Sequence, residues 1–512
     1  MRSMRRAMVI VLAWGVLVGA TASAAVKPNA LFTDNMVLQQ GKKVPVWGTA
    51  DAGEAVTVRI QQQQAATTAK DGKWIVWLKP MKAGGPFELT IQGQNTITLE
   101  NVMVGEVWVC SGQSNMAMAL SGCAGAAQAI ASAKNPMIRL FTVERATART
   151  PQSKFTAKHP WTMAGPNTVH GFSGVAYFFG RELQAGLKVP VGLIHTSWGG
   201  TPAEAWTDSQ TIESNPKLKG IIPRWNRYIK EEYPKRLKAH QVKMEKWKKA
   251  AAAAKQAGTK VPRKPRAPRG PDGPHRPSSL YNAMIHPLLP YAIQGAIWYQ
   301  GESNAGRAYE YRTLFPAMIT CWRRAWGQGD FAFLTVQLAP FVGRLTDPIW
   351  PELREAQLLA SQTLPNAGLA VITDVGDRTD IHPKRKAPVG ARLALAARAI
   401  AYGEKIVYSG PEYTDMKVQG NQIVLSFKHV GAGLMAKSGQ PKGFTIAGVD
   451  RKFVAASAEI RGDKVSVSSP NVSEPVAVRF GWENFPVVDL WNKEGLPATP
   501  FRTDDFAMIT KK

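Results

Sequence analysis

The 512-residue sequence predicts an α/β protein with a mostly parallel sheet, set between two β-rich, sandwich-like segments. Three observations carry that expectation. Between about residues 101 and 403, apolar strand-like runs alternate with helical stretches, the βαβ pattern of a parallel sheet covered on both faces. On either side, short alternating runs are separated by turns, as in antiparallel sandwiches. One apolar run, Gly105-Glu106-Val107-Trp108-Val109-Cys110, breaks off into Ser111-Gly112-Gln113-Ser114-Asn115 ahead of a small-residue helical pattern. That places a serine hydroxyl on a sharp strand-to-helix turn, where backbone N–H groups converge.

Taken in order, residues 1–25 read as a secretory signal. Arg2, Arg5 and Arg6 form a basic region, Ala7 to Gly19 an apolar stretch, and Ala22-Ser23-Ala24 a small-x-small cleavage site. The apolar stretch falls short of the roughly 20 residues a membrane span needs, and no later segment resembles one. The mature chain is expected to begin near Ala25 or Val26 and to be secreted or periplasmic. Residues 26–100 hold the strand-like runs Val44 to Trp47, Ala55 to Ile60, Trp74 to Leu78 and Phe87 to Ile91.

In the α/β region the expected strands are Ile138 to Val143, Val191 to His195, Ile293 to Tyr299, Phe331 to Leu338 and Gly368 to Thr373. Val175, Phe179 and Leu183 recur at i, i+4 and i+8 on one helical stripe, and Tyr309 to Trp326 and Pro351 to Gln362 read likewise. Residues 404–512 return to strand texture with Gln422 to Phe427, Lys464 to Val467 and Val476 to Phe480.

The formal net charge of +27 is unevenly spread. From Lys217 to Arg269, 18 Lys or Arg stand against three acids, Glu231, Glu232 and Glu245, which is more than half of the excess. No zinc-knuckle, RRM-like or helix-turn-helix signature accompanies this run, so a nucleic-acid partner is not expected. Residues 216–279 read as a basic helical insertion followed by a Pro/Arg-rich linker. The expectation is an exposed appendage, dispensable for chemistry, whose charge serves at most to attract anionic glycans. Trp225, Tyr228 and Ile229, then Leu237, Met244 and Trp247, offer its helices a docking face. The three cysteines exclude a disulfide scaffold: Cys110 and Cys123 either pair or stay as buried thiols. The eight histidines show no metal-ligand spacing, so no metal and no cofactor is assigned.

A serine esterase needs a hydroxyl, a base, an acid to orient the base, and donors for the oxyanion. The residues supply candidates for each. Trp298-Tyr299-Gln300-Gly301-Glu302-Ser303-Asn304 repeats the strand-then-Gly-x-Ser-Asn pattern of the first block. Asp380-Ile381-His382-Pro383 follows the apolar strand Leu369-Ala370-Val371-Ile372. All lie at the carboxyl ends of expected strands, where open α/β sheets build their sites. On this pattern alone, Ser114 and Ser303 are alternative nucleophiles.

Four ordered blocks decide further. Gly112-Gln113-Ser114-Asn115, Trp198-Gly199-Gly200-Thr201-Pro202, Gln300-Gly301-Glu302-Ser303-Asn304 and Asp380-Ile381-His382-Pro383 resemble those of the sialate O-acetylesterase family. That family is a carbohydrate-esterase branch of the SGNH hydrolases, related to carbohydrate esterase family 6. Asp34 to Gln39, Val44 to Gly48 and Leu280 to Pro287 extend the resemblance. It implies an SGNH-hydrolase-like three-layer α/β/α domain over 101–403. It also implies that Ser114 is the nucleophile and His382 the base, with the Ser114 N–H, the Gly200 N–H and the Asn304 amide holding the oxyanion. Ser303 then becomes a turn residue. Gln113 and Glu302 would line the substrate pocket, Glu302 alternatively fixing a loop through backbone N–H groups.

Related SGNH enzymes carry the acid three residues before the histidine, where this chain has Thr379. Asp380 matches the Asp-Ile-His-Pro form of this branch; Asp377, Asp374 or a dyad oriented by a carbonyl are the alternatives. The implied substrate is an acetylated sialic acid or related sugar. The blocks bind the acetyl group and not the sugar, so acetylxylan or another hemicellulose remains open. A non-catalytic carbohydrate-binding protein would have been free to lose Ser114, Gly200, Asn304 and His382.

Overall fold

The computed structural model describes residues 25–511. The signal-like residues 1–24 lie outside the described residues. The central feature is a 17-residue strand, Thr96–Gly112, which serves two sheets in succession. Its first half pairs antiparallel with Gly84–Gln92 and continues into the strands of the N-terminal segment. Its second half, from Glu106, runs parallel between Val191–Ser197 and Gly295–Tyr299. Burial changes along it accordingly. Residues 96–101 alternate between exposed and covered, whereas residues 102–112 are buried throughout, the difference between a half-wet antiparallel strand and a parallel one covered on both faces. The change of texture expected near residue 101 therefore falls inside one continuous strand.

The parallel part of the sheet runs, in spatial order, Asn135–Val143, Val191–Ser197, Thr96–Gly112, Gly295–Tyr299, Ala332–Val336 and Ala367–Ala370. The chain starts in the middle, places Asn135–Val143 on one side, fills the gap with Val191–Ser197, and then builds outward on the other side, so the long strand is the topological switch point. Val107, Val109, Ala296, Trp298 and Phe333 face one core with Phe315 and Trp322 of the helix Ala308–Trp326 and Leu353 of the helix Ile349–Thr363. Trp108, Cys110, Leu193, Ile297 and Leu334 face the other with Phe179 and Leu183 of the helix Gly174–Leu187 and Leu393 of the helix Ala387–Ile400. Aromatic contacts seal both sides: Trp298 meets Trp322 edge-on at 5.8 Å, and Trp108 meets Phe179 at 5.1 Å.

Among the elements that were not expected, two belong to the parallel-sheet region. Ala157–Ala164 pairs antiparallel at the sheet edge against Asn135–Val143. Its sequence, Ala-Lys-His-Pro-Trp-Thr-Met-Ala, is polar and holds Pro160, which an edge strand tolerates because one side of its ladder faces solvent. The helix Ala387–Ile400 hides in an Ala/Arg-rich sequence whose stripe of Val389, Leu393, Ala396 and Ala397 is too small to stand out. The C-terminal strands, including Gln422–Lys428, Lys464–Ser468 and Ala477–Phe480, enclose a core of their own. They are anchored to the α/β part by Arg354, whose guanidinium donates to the carbonyls of Leu338, Glu483 and Asn484 at 2.9, 2.7 and 2.9 Å.

All three cysteines are free and buried. Among the described residues no helix is long and apolar enough to cross a membrane, and no three His, Cys, Asp or Glu side chains are grouped as metal ligands.

Candidate active site

Sheet register explains why three blocks far apart in sequence meet. Gly112 at the end of the central strand is paired with Ser197 on one neighbour and Tyr299 on the other. The segments that follow these three residues therefore emerge side by side. Gly112 has φ +139°, and a Cβ there would run into the Tyr299 carbonyl, so this close crossing requires glycine. Beyond it the helix is a single turn, Ser114–Ala117, much shorter than the small-residue pattern predicts. Gly199 packs against Ser114, where a Cβ would come within 3.2 Å of the Ser114 Cβ.

The fourth block reaches the same point from Ala367–Ala370, three places from the central strand. Ser114 Oγ lies 2.8 Å from His382 Nε2. Ser303, the rival serine, has no contact with the imidazole; its backbone N–H donates to Gln113 Oε1 at 3.3 Å. Asp380 Oδ1 accepts the backbone N–H of His382 at 2.9 Å and stands 3.6 Å from Nδ1, close enough to favour the imidazolium but too long for a hydrogen bond. The alternative acids are engaged elsewhere. Asp377 accepts from the backbones of Thr379 and Asp380, both at 2.9 Å, and Asp374 is held by Arg392 at 2.6 and 2.9 Å. Burial holds the His382 imidazole below its ordinary pKa; Asp380 opposes that shift and the nearby Lys386 charge adds to it.

The three N–H groups expected to hold the oxyanion are without acceptors among the described residues. Neither the Ser114 nor the Gly200 backbone N–H has an acceptor among the described residues. Asn304 is fixed by its amide: Oδ1 accepts from Ala203 N at 2.9 Å and Gln300 Nε2 at 2.7 Å, while Nδ2 donates one hydrogen to Glu204 at 2.8 Å. That leaves its second N–H without a partner.

Gln113 and Glu302, expected to line the pocket or, for Glu302, to fix a loop, both bond to neighbouring loops. Glu302 Oε1 accepts from Asn115 Nδ2 at 2.6 Å, and its Oε2 is buried with no partner. Burial raises its pKa. Asn115 is the hub that residue patterns did not reveal. Its Nδ2 also donates to the Ile381 carbonyl at 3.0 Å, and its Oδ1 accepts from Lys386 Nζ at 2.6 Å. Lys386 is fully buried, and burial lowers its pKa to about 8. One asparagine thus ties the residue after Ser114 to the residue before His382. The only available signal was a lysine four positions after the histidine, directly ahead of a helix.

The basic insertion is less detached than expected. It forms the helices Ile221–Arg227 and Tyr233–Gln256, joined through a π turn, and then an irregular return. Arg224 grips Glu310 at 2.9 and 2.8 Å, and Asp272 receives Arg149 at 2.6 and 3.1 Å. Held this way, Trp225, Tyr228, Arg269 and His275 line a cavity of about 170 Å³ together with Pro202, Ser303 and Arg307. Charge composition foretold the exposure of this segment, but not the tertiary anchors that bring its aromatic residues to the site.

A serine hydroxyl paired with an imidazole, at the carboxyl edge of a parallel sheet and beside free N–H donors, is the constellation of an ester hydrolase. Comparison with known proteins sharpens the class. The profile of the family described as carbohydrate esterase, sialic acid-specific acetylesterase, matches residues 104–239 and 256–399, and the chain belongs to that family. Mouse sialate O-acetylesterase is 31% identical over 92% of this chain and 93% of its own length. The human sialate O-acetylesterase is 32% identical over 74% of this chain and 72% of its own. Among solved structures, a carbohydrate acetylesterase from Xanthomonas citri superposes with a TM-score of 0.80 at 36% identity, covering 94% of this chain and all of that one.

Proposed function

We propose that the chain is an exported serine carbohydrate O-acetylesterase that releases acetate from O-acetylated sialic acid or a related sugar through an acyl-enzyme. The observation that carries the reading is the 2.8 Å contact of Ser114 Oγ with His382 Nε2. In this mechanism Oγ attacks the acetyl carbonyl as Nε2 takes its proton. The tetrahedral oxyanion is held by the N–H groups of Ser114 and Gly200 and by Asn304 Nδ2. Collapse expels the sugar hydroxyl, protonated by His382. A water then attacks the acetyl-serine with His382 as base, and acetate leaves. Asp380 stabilises the imidazolium formed in both halves. The accompanying fold reading is an SGNH-type three-layer unit over 101–403 with β-rich flanking units at 26–100 and 404–512, supported by helices packed on both faces of the sheet. Export is supported by the Arg2-to-Ala24 segment.

Two measurements test this. Rapid mixing with p-nitrophenyl acetate should give a burst of nitrophenol close to one equivalent if deacylation is the slower half, and mass spectrometry of quenched enzyme should find acetyl on Ser114. Acetylation elsewhere, on Ser303 for example, would sink the assignment. N-terminal sequencing of protein from the culture medium or periplasm should begin at Ala25 or Val26.

A further inference from the structure

We infer that the inserted segment forms a binding channel for the glycan that carries the acetyl group, and that this glycan is an oligosaccharide bearing repeated carboxylates. The inference rests on the esterase reading above and extends it from the acetyl group to the rest of the substrate. The channel starts in the cavity beside the ester site. Pro202 lies two residues after Gly200, Glu204 holds Asn304, and Ser303 precedes Asn304, so the oxyanion donors and this cavity share a wall. Trp225 and Tyr228 line it, their rings 5.6 Å apart. Aromatic faces against an open cavity suit the apolar face of a sugar ring.

From the cavity a groove of about 600 Å³ runs along the helix Tyr233–Gln256. Tyr228 and Arg269 line both spaces, so the two are continuous. Arg236, Lys243, Arg266 and Arg269 line the groove and no acid does. Arg236 has Glu232 as its acidic partner, at 3.9 Å, and lies 5.8 Å over the Tyr228 ring, while Lys243, Arg266 and Arg269 have no acidic partner among the described residues. In the cavity, by contrast, Glu204 is committed to Asn304 and Arg307 at 2.8 Å each. Unpaired guanidinium groups spaced along a groove recognise planar carboxylates bidentately, and several in a row select a repeating anion over a single one. A nucleic acid would also meet this charge, but the aromatic entrance opens beside ester chemistry, which favours a glycan. His240 and Lys243 lie in residues 240–255, outside the two stretches matched by the family profile.

The test compares three acetylated substrates, an oligogalacturonide, a neutral xylo-oligosaccharide and p-nitrophenyl acetate, at low and high salt. The variants are a triple K243Q/R266Q/R269Q and a control, K238Q/K249Q, which removes two charges from the same helix outside the groove. The wild type should lose kcat/KM on the oligogalacturonide as salt rises, and much less on the neutral oligosaccharide. The triple variant should lose roughly 10–100-fold in kcat/KM on the oligogalacturonide, mostly through KM, and flatten its salt dependence. The control variant should keep the wild-type rate and salt slope. Calorimetric titration of deacetylated oligogalacturonide into wild type and triple variant reads the channel without turnover.

Equal losses on charged and neutral oligosaccharides, or binding of oligogalacturonide unchanged in the triple variant, would overturn the inference. So would an oligonucleotide that binds the groove while the uronide does not. A wild type inert on every acetyl ester, yet binding the uronide through these residues, would instead defeat the esterase reading and leave the channel standing.

Discussion

The two sides of the ester site are built from opposite material. On the acyl side, Ser114, Gly200 and Asn304 sit just beyond strand ends that are buried, His382 follows on a loop, and the loops are tied by the buried bonds of Ala203 N to Asn304 Oδ1 and of Lys386 Nζ to Asn115 Oδ1. On the glycan side, Trp225, Tyr228 and Arg269 belong to a segment that is half-buried or exposed and held by surface ion pairs. Strand ends fix reacting atoms to within fractions of an ångström, which attack and oxyanion binding demand; an exposed insertion can change length and charge without disturbing them. On the channel inference, chemistry and recognition thus fall to structures of different burial.

Breaking the acyl side should therefore be far costlier than altering the glycan side, and the largest effect is expected at Ser114. Ser114→Ala should lower kcat on any acetyl ester by about 10⁴–10⁶-fold, whereas Ser303→Ala, on the cavity wall, should keep most of the activity on p-nitrophenyl acetate. Losses of the same size from both changes would mean that the Ser114–His382 contact is not the reacting pair. Next comes Asn304→Ala, expected to lower kcat by about 10²–10³-fold with little change in KM. Because Asn304 donates to Glu204, which also holds Arg307, a circular dichroism spectrum and melting curve should accompany the assay. A folded variant with normal kcat would remove Asn304 from the oxyanion site.

A smaller effect is expected at Asp380. A buried acid hydrogen-bonded to the imidazole contributes about 10⁴-fold in a full triad. Here the carboxylate is 51% exposed, stands 3.6 Å from Nδ1 and is already occupied by the His382 backbone N–H. Asp380→Asn should lower kcat only on the order of tenfold, since solvent screens an exposed charge. A loss near 10⁴-fold would show that the carboxylate closes onto Nδ1 once substrate is bound.

This contrast also explains what the sequence disclosed. The acyl side was legible because each of its parts is a short block ending an apolar strand: Gly112 to Asn115, Gly199 to Pro202, Gly301 to Asn304 and Asp380 to Pro383. Convergence of the first three follows from the pairing of Gly112 with Ser197 and Tyr299, whereas the fourth arrives on the loop after Ala370. Asn115 and Lys386 were not legible, because a buried polar hub is defined by partners 187 and 271 residues away and not by spacing. The role of Trp225 and Tyr228 was half legible. Their docking potential was apparent in the helical pattern, but whether they met core or cavity depended on the Arg224–Glu310 and Arg149–Asp272 anchors.

The finest test sets Asp380 and Lys386, two charges near one imidazole, against each other. His382 must be neutral to accept the Ser114 proton, so kcat/KM should rise with pH through the free-enzyme ionisation of this residue. Burial and Lys386 hold that ionisation below the ordinary imidazole value, so the midpoint should fall on the acid side of it. Other buried imidazoles do not complicate the profile, because burial pushes His195 down to about 3 and His275 to about 4, leaving both uncharged over the working range.

Removing the Asp380 charge withdraws what favours the imidazolium, so Asp380→Asn should move the midpoint to lower pH. Removing the Lys386 charge withdraws what disfavours it, so Lys386→Met should move the midpoint to higher pH, even though freeing Asn115 also lowers the plateau. A structural disturbance alone would lower the plateau of both variants and leave both midpoints in place. Opposite shifts of one midpoint require two charges of opposite sign acting on one base. Shifts in the same direction, or none, would mean that the group titrating in kcat/KM is not His382.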